Sequence, residues 1–341
     1  MTLEESYILA MFSKQRQLEA EPDIMKNAYY AFYYAKNVIG GRWLEAEPTI
    51  LNDAQWSYKY AREVIKGRWT EAEPNIMQDD EYAYLYAKNI IKGRWPEAEP
   101  IIIQKVAWAF YYARDVIKGR WIDAEPVIAK HARCACFYAK DILKKRWPEV
   151  ELLIISDSEL AYMYALTVIK GRWQDAESVI MQNDFHAYLY ASDVIKGRWP
   201  EAETIIMQDA GCASLYARDV IQGRWIKAEE IIIQNVQDAY QYSIDVIKGR
   251  WLEAEPLIMQ NACYACCYSI DVIKERWEEA EEIIAKTEYR YNYIEVFFDE
   301  PVVSKDQVDI IKWEMKKQTG YFAPASLFEE RASLLDMVVE E

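Results

Sequence analysis

The sequence predicts an all-α fold, an α-solenoid (superhelix) of about ten to eleven 26-residue helix-pair repeats with a C-terminal cap. Ten tryptophans, from Trp43 to Trp277, stand 26 residues apart without a slip. Each has Arg immediately before it, Tyr nine residues before it and Glu four residues after it. With Trp at position zero, apolar residues recur at −12, −9, −8, −5 and −4, the spacing of one face of an amphipathic helix.

Each repeat reads as a first helix that ends before Trp and a second helix that begins around it. Gly stands at −2 in eight of ten repeats and is expected to end the first helix in the left-handed conformation, with Lys at −3 favoured beside the carbonyl end. Pro at +1 and acids at +2 and +4 suit the start of the second helix. Pro at +5 does not suit a helix that starts at +1, so either the helix starts later or its first turn is distorted.

The period sets the domain boundaries. Residues 1–288 form the solenoid, and residues 1–26 are a degenerate capping repeat in which Arg16 and Glu21 keep their positions while Gln17 replaces Trp. Residues 289–341 are interpreted as a C-terminal cap or a small docking segment, with two helices expected over residues 310–317 and 326–339.

Composition restricts the class of partner. The formal net charge of −16 and the pI of about 4.8 argue against binding nucleic acid or anionic membranes through bulk charge. No apolar run is long enough to span a bilayer, and the acidic start lacks the basic region of a signal peptide. We therefore expect a cytoplasmic protein whose six cysteines are reduced.

The sequence shows no pattern typical of an enzyme. There are two histidines, no glycine-rich phosphate loop and no recurrent nucleophile with a base. Two groups could be read as metal ligands, but neither has a spaced second pair, so we expect no metal and no cofactor. These groups are Cys263, Cys266 and Cys267, and His131, Cys134 and Cys136.

The invariant Arg at −1 and Glu at +4 allow two interpretations. They could be a ladder of binding arginines, or a structural pair that joins the inter-helix turn to the second helix. Because both recur in every repeat, including the degenerate first copy, the structural interpretation is favoured.

Binding is expected where the repeats differ. Positions +10 to +13, together with −11 and −10, vary from repeat to repeat and contain aromatic side chains typical of interface anchors. The alternative is that these rings pack locally between repeats. The candidate partner-binding residues are Trp56, Tyr84, Trp108, Phe110, Tyr111, Phe137 and Phe185.

A basic stripe runs along the first helices of the N-terminal half at position −7. It could meet an acidic partner or a phosphate backbone, or it could be a solvated helix face. The stripe consists of Lys36, Arg62, Lys88, Arg114 and Lys140.

The core motif GRW-x-EAE, preceded by YA-x-D-V-I-K, resembles short helical repeats in uncharacterised proteins of tailed bacteriophages and other viruses. The resemblance covers about residues 1–288. It implies a viral origin, an all-helical repeat fold and a host-cell cytoplasm, and it implies no activity.

We therefore expect a non-enzymatic repeat scaffold that binds a protein partner, as a virus-encoded adaptor or inhibitor of a host factor. Two alternatives remain open. The regularly spaced acids could mimic nucleic acid and block a DNA-binding protein, or the chain could associate with itself as a virion or structural component.

Overall fold

The computed structural model describes residues 3–298, and these contain helices and no strand. The chain divides into two compact units, Met1–Ile154 and Ile155–Glu341. In each unit a pair of helices recurs every 26 residues, which confirms the predicted helical repeat. The two helices predicted over residues 310–317 and 326–339 lie outside the described residues.

The first helix of each repeat begins after an extended residue at +10 of the preceding repeat, and that residue's side chain usually accepts a backbone N–H of the first turn. Asp53, for example, accepts from the N–H of Trp56 at 3.0 Å. In the first unit these helices are Ala28–Tyr34, Ala54–Tyr60, Asp80–Tyr86, Val106–Tyr111 and Ala132–Tyr138. In the second they are Ser158–Tyr164, Asp184–Leu189, Ala210–Tyr216, Val236–Tyr242 and Ala262–Tyr268.

Every first helix continues into a π-helical turn, a rare form that widens the helix before it ends. In the first unit the π-helical turns are Ala35–Ile39, Ala61–Ile65, Ala87–Ile91, Tyr112–Ile117 and Ala139–Leu143. In the second they are Ala165–Ile169, Tyr190–Ile195, Ala217–Ile221, Ser243–Ile247 and Ser269–Ile273.

The residue that ends these helices is the one at −3, and the prediction that Gly at −2 does so is wrong. Lys92 has φ of 58°, and the residues at −3 in the other repeats are also left-handed. Only the repeat that contains Trp43 has a glycine there, Gly40 with φ of 73°. Left-handed backbone costs a non-glycine residue roughly 1–2 kcal/mol.

Proline decides where most second helices start. Where Pro stands at +5, the helix begins at the Glu at +4, so the proline lies in the first turn and removes no internal hydrogen bond. These short helices are Glu21–Ile24, Glu47–Ile50, Glu73–Ile76, Glu99–Ile102, Glu125–Ile128 and Glu255–Ile258. Without that proline the helix usually begins at +1, as in Pro148–Ile154, Gln174–Ile180, Ile226–Ile232 and Glu278–Ala285.

The exception is Glu203–Ile206, which is short although Thr204 stands at +5. Two further helices, Leu3–Ser13 and Arg290–Phe297, flank the repeats.

Consecutive repeats are joined by the tyrosine at −9. The hydroxyl of Tyr112 accepts the backbone N–H of Trp95 at 2.6 Å and donates to the carboxylate of Glu99 at 3.1 Å, both in the preceding repeat. We call this set of contacts the inter-repeat link. In the first unit its tyrosines are Tyr34, Tyr60, Tyr86, Tyr112 and Tyr138, and in the second Tyr190, Tyr216, Tyr242, Tyr268 and Tyr293.

The same tyrosine packs against the tryptophan of its own repeat. The rings of Tyr112 and Trp121 lie 5.0 Å apart, and both side chains are almost fully buried. Such aromatic pairs contribute about 0.5–1.5 kcal/mol beyond the area they bury. Tyr293 shows that the link outlasts the period, since it bonds Trp277 although the Arg–Trp motif has ended.

We predict that Tyr112→Phe lowers the free energy of unfolding by about 1–3 kcal/mol, because the buried N–H of Trp95 loses its acceptor. The neighbouring Tyr111→Phe is the matched control, since the Tyr111 hydroxyl is buried without a hydrogen-bond partner. It should be neutral or slightly stabilising. Urea denaturation followed by circular dichroism measures both, and equal losses would show that the hydroxyl bond does not join the repeats.

The backbone conformations at −3 and −2 predict opposite effects of alanine at adjacent glycines. Gly41→Ala should raise stability by about 0.4–1 kcal/mol, because Gly41 has no positive φ and open space where a Cβ would stand. Gly40→Ala should lower stability by roughly 1 kcal/mol, because Gly40 is left-handed. Thermal melts of the two variants measure which one is more stable. A higher melting temperature for Gly40→Ala than for Gly41→Ala would show that the left-handed residue is at −2 and not at −3.

Candidate interaction surface

The invariant arginines are bound within their own repeats. Two nitrogens of the Arg94 guanidinium, Nε and Nη2, donate to the Glu99 carboxylate at 2.8 Å, and the pair recurs from Arg16–Glu21 to Arg276–Glu281. Hydrogen bonding to Arg16 lowers the pKa of the Glu21 carboxyl below its ordinary value. The structural interpretation of the Arg–Glu pair is confirmed. Glutamates of the pair, such as Glu21 and Glu99, also accept a hydrogen bond from the tyrosine hydroxyl of the next repeat.

Three of the seven candidate partner-binding residues are buried between repeats. Tyr84, Phe110 and Tyr111 are 2%, 1% and 1% exposed, so they offer a partner almost no area in this conformation. Tyr84 also donates to Asp115 of the next repeat at 2.6 Å. Burial and this bond to the carboxylate raise the pKa of the Tyr84 hydroxyl. The sequence did not indicate this second contact between repeats, which recurs between Tyr188 and Asp219.

The other four candidates, Trp56, Trp108, Phe137 and Phe185, are half-buried at the starts or on the flanks of first helices. The ring centres of Trp56 and Phe32, in the preceding repeat, lie 5.5 Å apart. Trp108 stacks on Tyr84 with a distance of 5.4 Å between ring centres. The rings therefore pack locally and still expose part of their surface. Whether they bind a partner stays a prediction.

The basic stripe is largely paired with the next residue or the next repeat. Lys88 and Arg114 both bind Asp115 at 2.7 Å, and Lys36 pairs with Glu63. The remaining members lie against aromatic side chains. Arg62 donates to the Tyr58 hydroxyl at 3.1 Å, and Lys140 lies 5.8 Å from the centre of the Phe137 ring.

Within residues 3–298, ligand atoms of Asp184, Asp209 and Cys212 lie within 4.8 Å of one another. Burial and the neighbouring carboxylates raise the pKa of the Cys212 thiol, so a cation bound there would have to displace its proton. Three donors are one fewer than a structural zinc site usually has. The sequence gave no signal for this group, because its members come from two repeats.

Neither cysteine group singled out from the sequence shows a metal-site arrangement. Cys263, Cys266 and Cys267 are buried on one helix, and none of the three forms a disulfide. The His131 ring accepts the backbone N–H of Cys134 and so caps a helix. His186 contacts the Ser158 hydroxyl at 2.8 Å, and burial lowers the pKa of its imidazole.

Comparison with protein families, with curated proteins and with solved structures finds no match for this chain. None of the helices within residues 3–298 is long and apolar enough to cross a membrane.

The carboxyl of Asp238 makes the stability of the folded chain depend on pH. Burial and the charge of Asp209 raise its pKa to about 6 in the folded protein, above its value in the unfolded chain. The folded state therefore binds the extra proton between about pH 4 and pH 6, and stability falls as pH rises through that window.

We predict that Asp238→Asn raises stability by about 1 kcal/mol at pH 7, a figure reduced for solvent screening, and that the gain shrinks toward pH 4. Urea titrations at the two pH values test this. Asp175→Asn, at an exposed carboxylate, is the control and should show no such gain. A gain of equal size at both pH values would contradict the assignment.

Proposed function

We propose that this chain is a non-enzymatic scaffold that binds a protein partner along the edge formed by positions +10 to +13. The observation that supports it is that each repeat contains both constant and variable positions. The residues of the inter-repeat link and the Arg–Glu pair are the same throughout, whereas the edge changes from one repeat to the next.

Position +12 shows this most clearly. Its residues differ in size, charge and polarity, although each one occupies the first turn of a first helix. Most are half-buried, so they present part of their surface on a fixed framework. The series is Tyr29, Gln55, Glu81, Ala107, Arg133, Glu159, Phe185, Gly211, Gln237 and Cys263.

Mimicry of nucleic acid has less support, because the acidic rows alternate with basic ones. Glu99 is neutralised by Arg94, and Arg94 also lies within electrostatic range of the exposed Asp123 of the next repeat. A mimic of a phosphate backbone requires a continuous acidic face. The resemblance to viral repeats, if it reflects origin, makes a host protein the expected partner.

Photo-crosslinking tests the edge directly. A photoreactive amino acid at Gln55 or Ala107, both at +12, should attach to the partner in cells that naturally contain the protein. Mass spectrometry identifies the attached protein. Both positions lie in the first turn of a first helix and belong neither to the inter-repeat link nor to the Arg–Glu pair, so the replacement leaves those contacts in place.

The matched controls carry the same photoreactive residue at Glu45 and Glu97, the exposed +2 positions that follow Trp43 and Trp95 as Gln55 and Ala107 do. They should not attach to the same protein. Attachment from +2 and none from +12 would move the binding surface away from the variable edge. Attachment only to other copies of this chain would favour self-assembly.

A further inference from the structure

Two adjacent grooves open on the first compact unit, where the ends of first helices meet. One, of about 410 Å³, is lined by Lys88, Lys92 and Lys118 together with Asp115. The other, of about 230 Å³, shares Lys118 and adds Arg114, Lys144 and Asp141. Together they carry five cationic and two anionic side chains, in a chain whose formal charge is −16.

The lysines at −3 supply the unused charge. Lys88 and Arg114 are both bound to Asp115, whereas Lys92, Lys118 and Lys144 make no hydrogen bond or ion pair within the described residues. Lys144 lies within electrostatic range of Asp141, the second acid of the grooves. Lys92, Lys118 and Lys144 therefore line the grooves with three exposed ammonium groups, each one repeat from the next.

The fold does not need a lysine at −3. The position is left-handed, which glycine adopts most easily, and Gly40 occupies it in the first repeat. Gln222 adopts the same conformation with φ of 57°, so a neutral side chain also folds there. The helix end favours a cation, yet Gln222 shows that this preference is dispensable. The left-handed backbone therefore does not require a lysine, and the ammonium groups at −3 are available to another molecule.

The glycine at −2 is the second unexplained feature. Gly93 and Gly119 line the two grooves, have no positive φ and have nothing within 4 Å of where a Cβ would stand. Neither backbone conformation nor crowding within the chain requires glycine there. Without a side chain, the groove floor is open to close approach by the backbone of another molecule.

We propose that these grooves bind an extended peptide segment with an acidic residue at every third position. Packed helices are about 8–10 Å apart, and three residues of extended chain span roughly 10 Å. One carboxylate can then meet each of Lys92, Lys118 and Lys144. A long nucleic acid fits less well, since it would continue from the grooves onto a strongly acidic protein. The inference goes beyond the proposed function, because it places a second binding surface away from the variable edge and gives the chemistry of the segment that would bind there.

The second compact unit provides a matched control. In its repeats from Ser192 to Lys274, positions −7, −6 and −3 hold four cations and four anions, so no surplus positive charge remains. Lys196, Lys248 and Lys274 nonetheless occupy the same left-handed position, with φ of 58°, 59° and 61°. Replacing them removes the same charge from the same backbone conformation.

The test uses a fluorescein-labelled nonapeptide with Asp at positions 1, 4 and 7 and Gly or Ser between them. Fluorescence anisotropy at low salt measures its Kd for the full chain. Lys92→Gln/Lys118→Gln/Lys144→Gln should weaken binding roughly tenfold, since each exposed ion pair contributes a factor of about two or more. Lys196→Gln/Lys248→Gln/Lys274→Gln should change the Kd less than twofold. Circular dichroism checks that both variants stay helical.

Equal weakening by both variants would reduce the effect to bulk charge and overturn the proposal. So would equal affinity for a peptide with its three Asp residues in a row, or tighter lysine-dependent binding of a single-stranded oligonucleotide. If the peptide fails to bind while cross-links still form at +12, only this inference falls. Lysine-dependent peptide binding without those cross-links would instead support binding in the grooves and contradict binding at the variable edge.

Discussion

The hydrogen bond from the tryptophan backbone N–H to the next repeat's tyrosine hydroxyl is the contact on which the repeats depend. Tyr112 accepts from Trp95, and its ring lies against Trp121, whose own N–H bonds Tyr138. The contacts therefore pass from one repeat to the next without a break inside each compact unit. A repeat of two short helices cannot bury its apolar faces alone, so this link allows the stack to form.

The link also accounts for the invariance of the residues around it. Glu99 accepts from Tyr112 in a largely buried position, and the bidentate Arg94 holds the Glu99 carboxylate there. The invariant residues Arg, Glu, Tyr and Trp thus share one structural role, which is to join each repeat to the next. Variation between repeats is concentrated at the variable edge, whose positions take no part in these contacts.

Those two surfaces differ in what they offer. The variable edge carries aromatic side chains that are already in contact with the preceding repeat, such as Trp108 on Tyr84. The grooves carry lysines that the fold leaves unpaired, beside glycines whose missing side chains the fold does not require. The first surface suits recognition of shape, and the second suits recognition of charge. Both are held at fixed spacing by the same link.

The sequence alone determined the period, the helix pairing and the Arg–Glu partnership, because residues that recur every 26 positions must meet equivalent surroundings. It did not reveal the π-helical turns, and it assigned the helix end to Gly at −2 instead of Lys92 and its equivalents, because glycine adopts the left-handed conformation most easily. Tertiary structure also decided which aromatics are exposed. Tyr84 and Trp56 look alike as variable aromatic positions, yet one is buried against Asp115 and the other is half-exposed. Contacts between residues of different repeats depend on how the repeats stack, which local patterns do not record.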